Sequence, residues 1–287
     1  MTSQHFVCLT FDYDNASPMI ARGMTTPTLI SRGDFGVVAA ARLTEMLRRL
    51  GVRSTWFTPG HTIETYPDSA RMVTGAGHEI AHHGWTHRTP ASLGREAEEA
   101  ELVRGCEAIR RLTGRDPRGY RSPAWDLSEH SIGLLIKHGF VYDSSLMGHD
   151  YLPYQARDGD SVALEEPIVF GADTALVEMP ISWSLDDFPV FEYMRLTSGV
   201  NAGLANARLV GENWRADFDY MAAHYDWGVI TYTFHPHVIG RGHRLIMLEA
   251  LIVALKAAGA IFLTMEEAVA EYRTRFPSGR TGRPGLA

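Results

Sequence analysis

Apolar and polar positions along the chain alternate between two periods. Phe6-Val7-Cys8-Leu9-Thr10-Phe11 is an unbroken apolar, β-prone run ending in acidic residues, the pattern of a parallel strand buried on both faces with its chemistry at the C-terminal end. Over 36–50 the apolar residues recur at helical spacing with basic residues opposite, and Gly51 stops the run. The same reading predicts strands at 54–57, 79–81, 119–121, 140–142, 175–179, 229–234 and 261–263. It predicts helices at 67–74, 92–112, 128–138, 211–226, 245–258 and 265–275. This βαβα rhythm implies an α/β fold of parallel strands covered by helices, with a strand count near that of a barrel and catalytic groups at the C-terminal strand ends. One domain over 1–277 is expected, with 147–175, rich in Asp, Gly and Pro, as a long surface loop. The Gly-, Arg- and Pro-rich tail 278–287 is expected to lack fixed structure, and no internal repeat is present.

The 287 residues are 45% hydrophobic and 21% charged, enough to bury a substantial core. A formal charge of -7 argues against nucleic acid or an anionic membrane as partner. The two cysteines, Cys8 and Cys106, lie far apart and are expected to be buried thiols in a reducing compartment. The start, Met1 to His5, carries no Lys or Arg and leads straight into a strand, so no signal peptide is expected. The apolar stretch 245–263 is interrupted by Glu249 and Lys256 and is too polar to span a bilayer. The expectation is a cytoplasmic protein acting on a substrate found there.

Four polar clusters fall at expected strand ends. In Asp12-Tyr13-Asp14 the two carboxylates, two residues apart, point the same way, which a nearby cation would relieve; a solvated turn is the alternative. His83 and His87, at i and i+4, share one side of a helical turn, and with one aspartate they make the two-His, one-carboxylate set of an open metal site. His82 then points elsewhere, into packing. Arg121, followed by Ser122-Pro123-Ala124-Trp125, either holds a carboxylate ionised or is a surface arginine before a proline turn. His235, in Phe234-His235-Pro236-His237, is either a general acid or a histidine satisfied in a loop.

In order and spacing, Thr10 to Asp14, Gly77 to His87, Arg121 to Trp125 and His235 to His237 resemble the motifs of the polysaccharide deacetylase family (carbohydrate esterase family 4). The resemblance runs from about Phe6 to about Glu271. It is strongest to a peptidoglycan deacetylase-like branch that also holds cyclic imide hydrolases and allantoinase-like enzymes. Ser31 to Gly36, Asp143 to Met147, Trp183 to Phe188 and Gly240-Arg241 are similar to further segments of that branch, although Asp34 on its own reads as a helix cap.

The resemblance implies a distorted (β/α)7 barrel. It implies Asp12 as general base, Asp14, His83 and His87 as ligands of one divalent metal, expected to be zinc, His235 as general acid, and Arg121 orienting Asp12. Trp85, Trp125 and Phe188 are expected to line a substrate pocket. Tyr13 separates aspartates that are adjacent in the typical family motif, as in the branch named. The favoured substrate is a small soluble cyclic imide or related amide. The alternatives are N-deacetylation of an N-acetyl sugar or peptidoglycan fragment, and a non-catalytic binding protein on the same fold. By resemblance alone a homo-oligomer, a tetramer, is expected.

Overall fold

The computed structural model describes residues 3–196 and 199–277. The expectation for 278–287 lies outside the described residues. The strands are β1 (Gln4–Asp12), β2 (Thr55–Thr58), β3 (Glu79–His82), β4 (Gly119–Tyr120), β5 (Tyr142–Asp143), β6 (Tyr154–Asp158), β7 (Ala172–Glu178), β8 (Tyr193–Leu196), β9 (Gly199–Ala202), β10 (Trp227–Phe234) and β11 (Ile261–Phe262). The main sheet runs β10-β1-β2-β3-β4-β5-β7-β6, with β11 on the lower half of β1. The strands from β10 to β7 pair in parallel and only β6 is antiparallel, so the sheet curls into a distorted half-barrel of seven parallel strands. Its seam is tied by a single parallel bridge, Asp186 with Thr233, and by the Val229 N–H donating to the Tyr151 carbonyl at 2.8 Å.

β1 and β10 form the buried spine. Every residue of β10 and seven of the nine in β1 are buried, because helices cover one face and the barrel interior the other. Leu9, Phe11, Trp56, Trp214 and Phe234 belong to one apolar cluster, and Phe11 stacks on Trp56 at 4.6 Å between centroids. Among the described residues no helix is long and apolar enough to cross a membrane. Cys8 is buried; Cys106 is only partly so, and both are free.

Two expectations need correction. The helix placed at 36–50 spans Pro27–Leu50, starting at a proline after Thr26 and ending at Gly51 in the left-handed region. Asp34 therefore lies inside the helix and caps nothing; it accepts a 3.3 Å hydrogen bond from the Tyr66 hydroxyl. Gly33 and Gly36 let this helix press against the turn after β1: a Cβ at Gly36 would overlap the Asn15 side-chain oxygen. The stretch 147–175 is not plain loop either. It contains β6, and the Ser161–Val169 bridge extends the β6–β7 hairpin.

Gly36→Ala would gain about 1 kcal/mol on an isolated helix. Here it is expected to cost about 1–2 kcal/mol through overpacking against Asn15 and to lower the Tm in a thermal melt. A raised Tm would show that Asn15 has room to yield.

Candidate metal centre and active site

The C-terminal ends of β1, β3, β4 and β10 converge. Asp12 closes β1, and the Tyr13 N–H extends the pairing by donating to the Phe57 carbonyl at 2.8 Å, so Asp12 and Asp14 share one direction while Tyr13 packs edge-on against Trp56. The Asp14 carbonyl is held by the Ser17 N–H at 3.0 Å and the Thr62 hydroxyl at 2.8 Å, which fixes the turn.

His83 follows β3 directly. His83 and His87 are not on a helical turn: the segment is a loop, with Gly84 at φ 73 and His87 at φ 62. Glu101, from the helix Arg95–Thr113, holds that loop in shape. Its carboxylate accepts from the Trp85 N–H at 3.2 Å, the Thr86 N–H at 2.8 Å, the Thr86 hydroxyl at 3.0 Å and Arg88 at 2.8 Å. The two imidazoles end 4.9 Å apart, centroid to centroid. His83 Nε2 is 3.4 Å from Asp14 Oδ1, and His87 Nε2 is 3.3 Å from Asp14 Oδ2.

These three residues, all buried, offer ligand atoms within 4.8 Å of one another. Asp14 Oδ1 is buried without a hydrogen-bond partner, which a cation would satisfy. His83 Nδ1 faces the Arg121 carbonyl at 2.7 Å, so it carries the proton there and leaves the Nε2 lone pair toward Asp14. The set therefore fits a divalent metal. Burial alone would raise the Asp14 pKa, but His87, His83 and His235 outweigh it and hold the carboxyl well below the usual range. Burial lowers the His83 pKa, which keeps a ligand imidazole neutral.

Arg121 is fully buried just beyond β4. It donates to Asp12 Oδ1 at 2.6 Å, to the Thr10 hydroxyl at 2.9 Å and to the carbonyl and hydroxyl of Ser144 at 3.2 and 3.1 Å. The turn at Ser144-Ser145 is fixed in its own right by Glu178, which accepts from the Ser145 and Leu146 N–H groups at 2.8 Å. Beyond β10, His235 Nδ1 meets Asp187 at 2.8 Å, the His235 N–H donates to the same carboxylate at 3.0 Å, and Asp186 lies 3.6 Å from Nδ1. Burial would lower the His235 pKa, but the hydrogen bond to Asp187 and the surrounding carboxylates push it up to about 10. Its Nε2 points back to Asp14 at 3.8 Å.

These groups line one cavity of about 160 Å³. Asp12, Asp14, His83, His87, Asp186 and His235 are its buried side, Trp125 and Phe188 its walls, and Trp183 stacks on Trp125 at 4.0 Å between centroids. Trp85 does not line it. Gly84 and the positive φ of the loop turn that ring outward, against Gly60 and under the Arg104 guanidinium at 3.7 Å. Sequence reasoning gave no role to Glu101, and marked Trp183 to Phe188 only as a segment similar to one of the resembled branch, without separate roles for Trp183, Asp186 and Asp187; a doubled acid there was the available signal.

A model of the family described as polysaccharide deacetylase matches residues 1–142. A peptidoglycan deacetylase of Helicobacter pylori is 36% identical over 267 residues, covering 89% of this chain and 91% of that protein. The chain belongs to the polysaccharide deacetylase family. It is thus a hydrolase of amide-type carbon–nitrogen bonds, of a metal-dependent family, with Asp14, His83 and His87 as its candidate metal triad. A putative polysaccharide deacetylase from Mycobacterium smegmatis superposes with a TM-score of 0.82 at 31% identity, over 96% of this chain and 92% of that one. Puue allantoinase superposes at 0.76 with 16% identity, over 96% and 92%, and at that identity shares the fold alone.

Glu101→Ala is expected to leave the Trp85 and Thr86 N–H groups of the loop unpaired and to weaken metal affinity about 10–100-fold, as read by competition with a chelating dye. Unchanged affinity would mean that the left-handed turn at His87 holds without this carboxylate.

Proposed function

We propose that this chain hydrolyses a small ring amide, a cyclic imide or a close relative, at a metal held by Asp14, His83 and His87. The observation that carries the reading is the cavity: about 160 Å³ with aromatic walls and the acid–base groups on its buried side. A cavity of about 150 Å³ accepts a benzene-sized ring, so this one matches a single flat ring.

A bound divalent cation would supply Lewis-acid polarisation of the carbonyl and a lowered pKa for attacking water. Asp12 is placed to take the proton from that water. One of its oxygens is held by Arg121, and the other, 3.9 Å from His83 Nε2, is left to accept. His235, charged and oriented by Asp187, delivers a proton to the departing nitrogen from Nε2, without which the amine leaves poorly. Trp125 and Phe188 hold the ring between these two proton carriers.

A second reading is N-deacetylation of an N-acetyl sugar, favoured by the 36% identity to a protein named a peptidoglycan deacetylase. The two separate in one assay. Metal-loaded protein is given hydantoin and succinimide, with loss of ring absorbance followed, and in parallel N-acetylglucosamine and chitooligosaccharides, with acetate release followed. Ring opening without acetate release supports the proposal; acetate release without ring opening overturns it in favour of the sugar.

Two variants test the assignments. Asp14→Ala is expected to lose metal, by elemental analysis, and turnover together; full turnover in metal-free protein would end the metal mechanism. His235→Ala is expected to keep its metal and lose about 10²–10⁴-fold in kcat. Unchanged kcat would place the proton donor elsewhere.

A further inference from the structure

We propose that Arg22 makes this site selective for a ring amide that also carries a carboxylate. The inference deepens the hydrolase reading above and rests on it for the identity of the ring. Arg22 ends the short helix Ser17–Ala21, at the exposed mouth of the cavity. The support beneath it is rigid. Ser17 donates from its N–H to the Asp14 carbonyl at 3.0 Å, and its hydroxyl meets Thr62 at 2.9 Å, so Arg22 keeps a set relation to the candidate metal ligand.

Among the described residues it is the only arginine or lysine lining the cavity. The anionic groups there already have partners: Asp12 has Arg121, Asp186 and Asp187 surround His235, and Asp14 faces the two imidazoles. Arg22 has no carboxylate partner among the described residues. Its guanidinium makes one hydrogen bond, to the Pro18 carbonyl at 3.2 Å, which leaves most of its donor fork available at the cavity mouth. A ring seated against Trp125 and Phe188, with its amide at the buried acid–base groups, would present a substituent on its far edge to this cation. A planar carboxylate matches the fork best.

The test uses two matched pairs with metal-loaded protein. Hydantoin is compared with hydantoin-5-acetate, and N-acetylglucosamine with N-acetylmuramate; within each pair the members differ by a carboxylate-bearing arm. In whichever pair is turned over, wild type is expected to favour the anionic member about tenfold in kcat/KM. The preference should shrink as salt is raised, because the pair sits at an exposed mouth. Arg22→Gln is expected to bring the ratio to within about twofold of one, and Arg22→Lys to keep part of it. If neither pair is turned over, the ring-amide and N-acetyl-sugar readings fail, and the same ratio is read from quenching of Trp125 and Trp183 fluorescence on binding. A wild-type ratio near one, or a ratio that Arg22→Gln leaves intact, overturns the proposal.

Discussion

The site depends on one buried guanidinium. Arg121 ties four segments to one point: it grips Asp12 from β1, Thr10 one pleat earlier, and both polar groups of Ser144 beyond β5, while its own carbonyl orients His83 beyond β3. A fully desolvated charge is tolerated only when paired and hydrogen-bonded, so the surrounding backbone is constrained to supply those acceptors. Phe57 closes its face at 4.1 Å, and water is excluded. The same constraint sets Asp12 and the candidate metal ligand His83, so the geometry of that carboxylate and that imidazole cannot drift independently.

Strain is concentrated around this point. Of the non-glycine residues with positive φ among the described residues, Asn15, His87, Ala124 and Trp125 all lie at the cavity or beside its ligands, and only Leu204 is remote. Each is a conformation that costs free energy and persists when neighbours overdetermine it. For His87 the neighbour is Glu101, and for Asn15 it is the close approach of Gly36. For Trp125 it is the stack on Trp183. The barrel supplies the rigid frame, and the loops at its C-terminal end carry the distortions that aim side chains inward.

Much of this was legible in the sequence, for identifiable reasons. β1 and β10 announce themselves because strands buried on both faces must be apolar throughout, and Asp12, Asp14, His83, His87, Arg121 and His235 stand out because each follows such a run. Long-range backbone fit was not legible. The helix expected at 36–50 in fact begins at Pro27, and its Gly33 and Gly36 permit the contact that anchors the turn after β1. The i, i+4 spacing of His83 and His87 mimics a helix, whereas the imidazoles are brought together by left-handed residues and a distant glutamate. The same loop geometry removed Trp85 from the cavity. Asp187 acquires its importance only when the seam bridge at Asp186 and Thr233 carries it beside His235.

In the proposed reaction, the partners of Asp12 and His235 give the direction of proton transfer. Asp12 is held by a permanent cation and His235 by carboxylates. The carboxylates around His235 stabilise its imidazolium form, ready to donate a proton, while Arg121 orients the Asp12 carboxylate. Both border the candidate metal ligands, with His83 Nε2 3.9 Å from Asp12 Oδ2 and His235 Nε2 3.8 Å from Asp14 Oδ2. In the proposed reaction, a substrate carbonyl at the candidate metal triad would share one cavity with Asp12 and His235, so that one proton is taken from water and another returned to nitrogen within it.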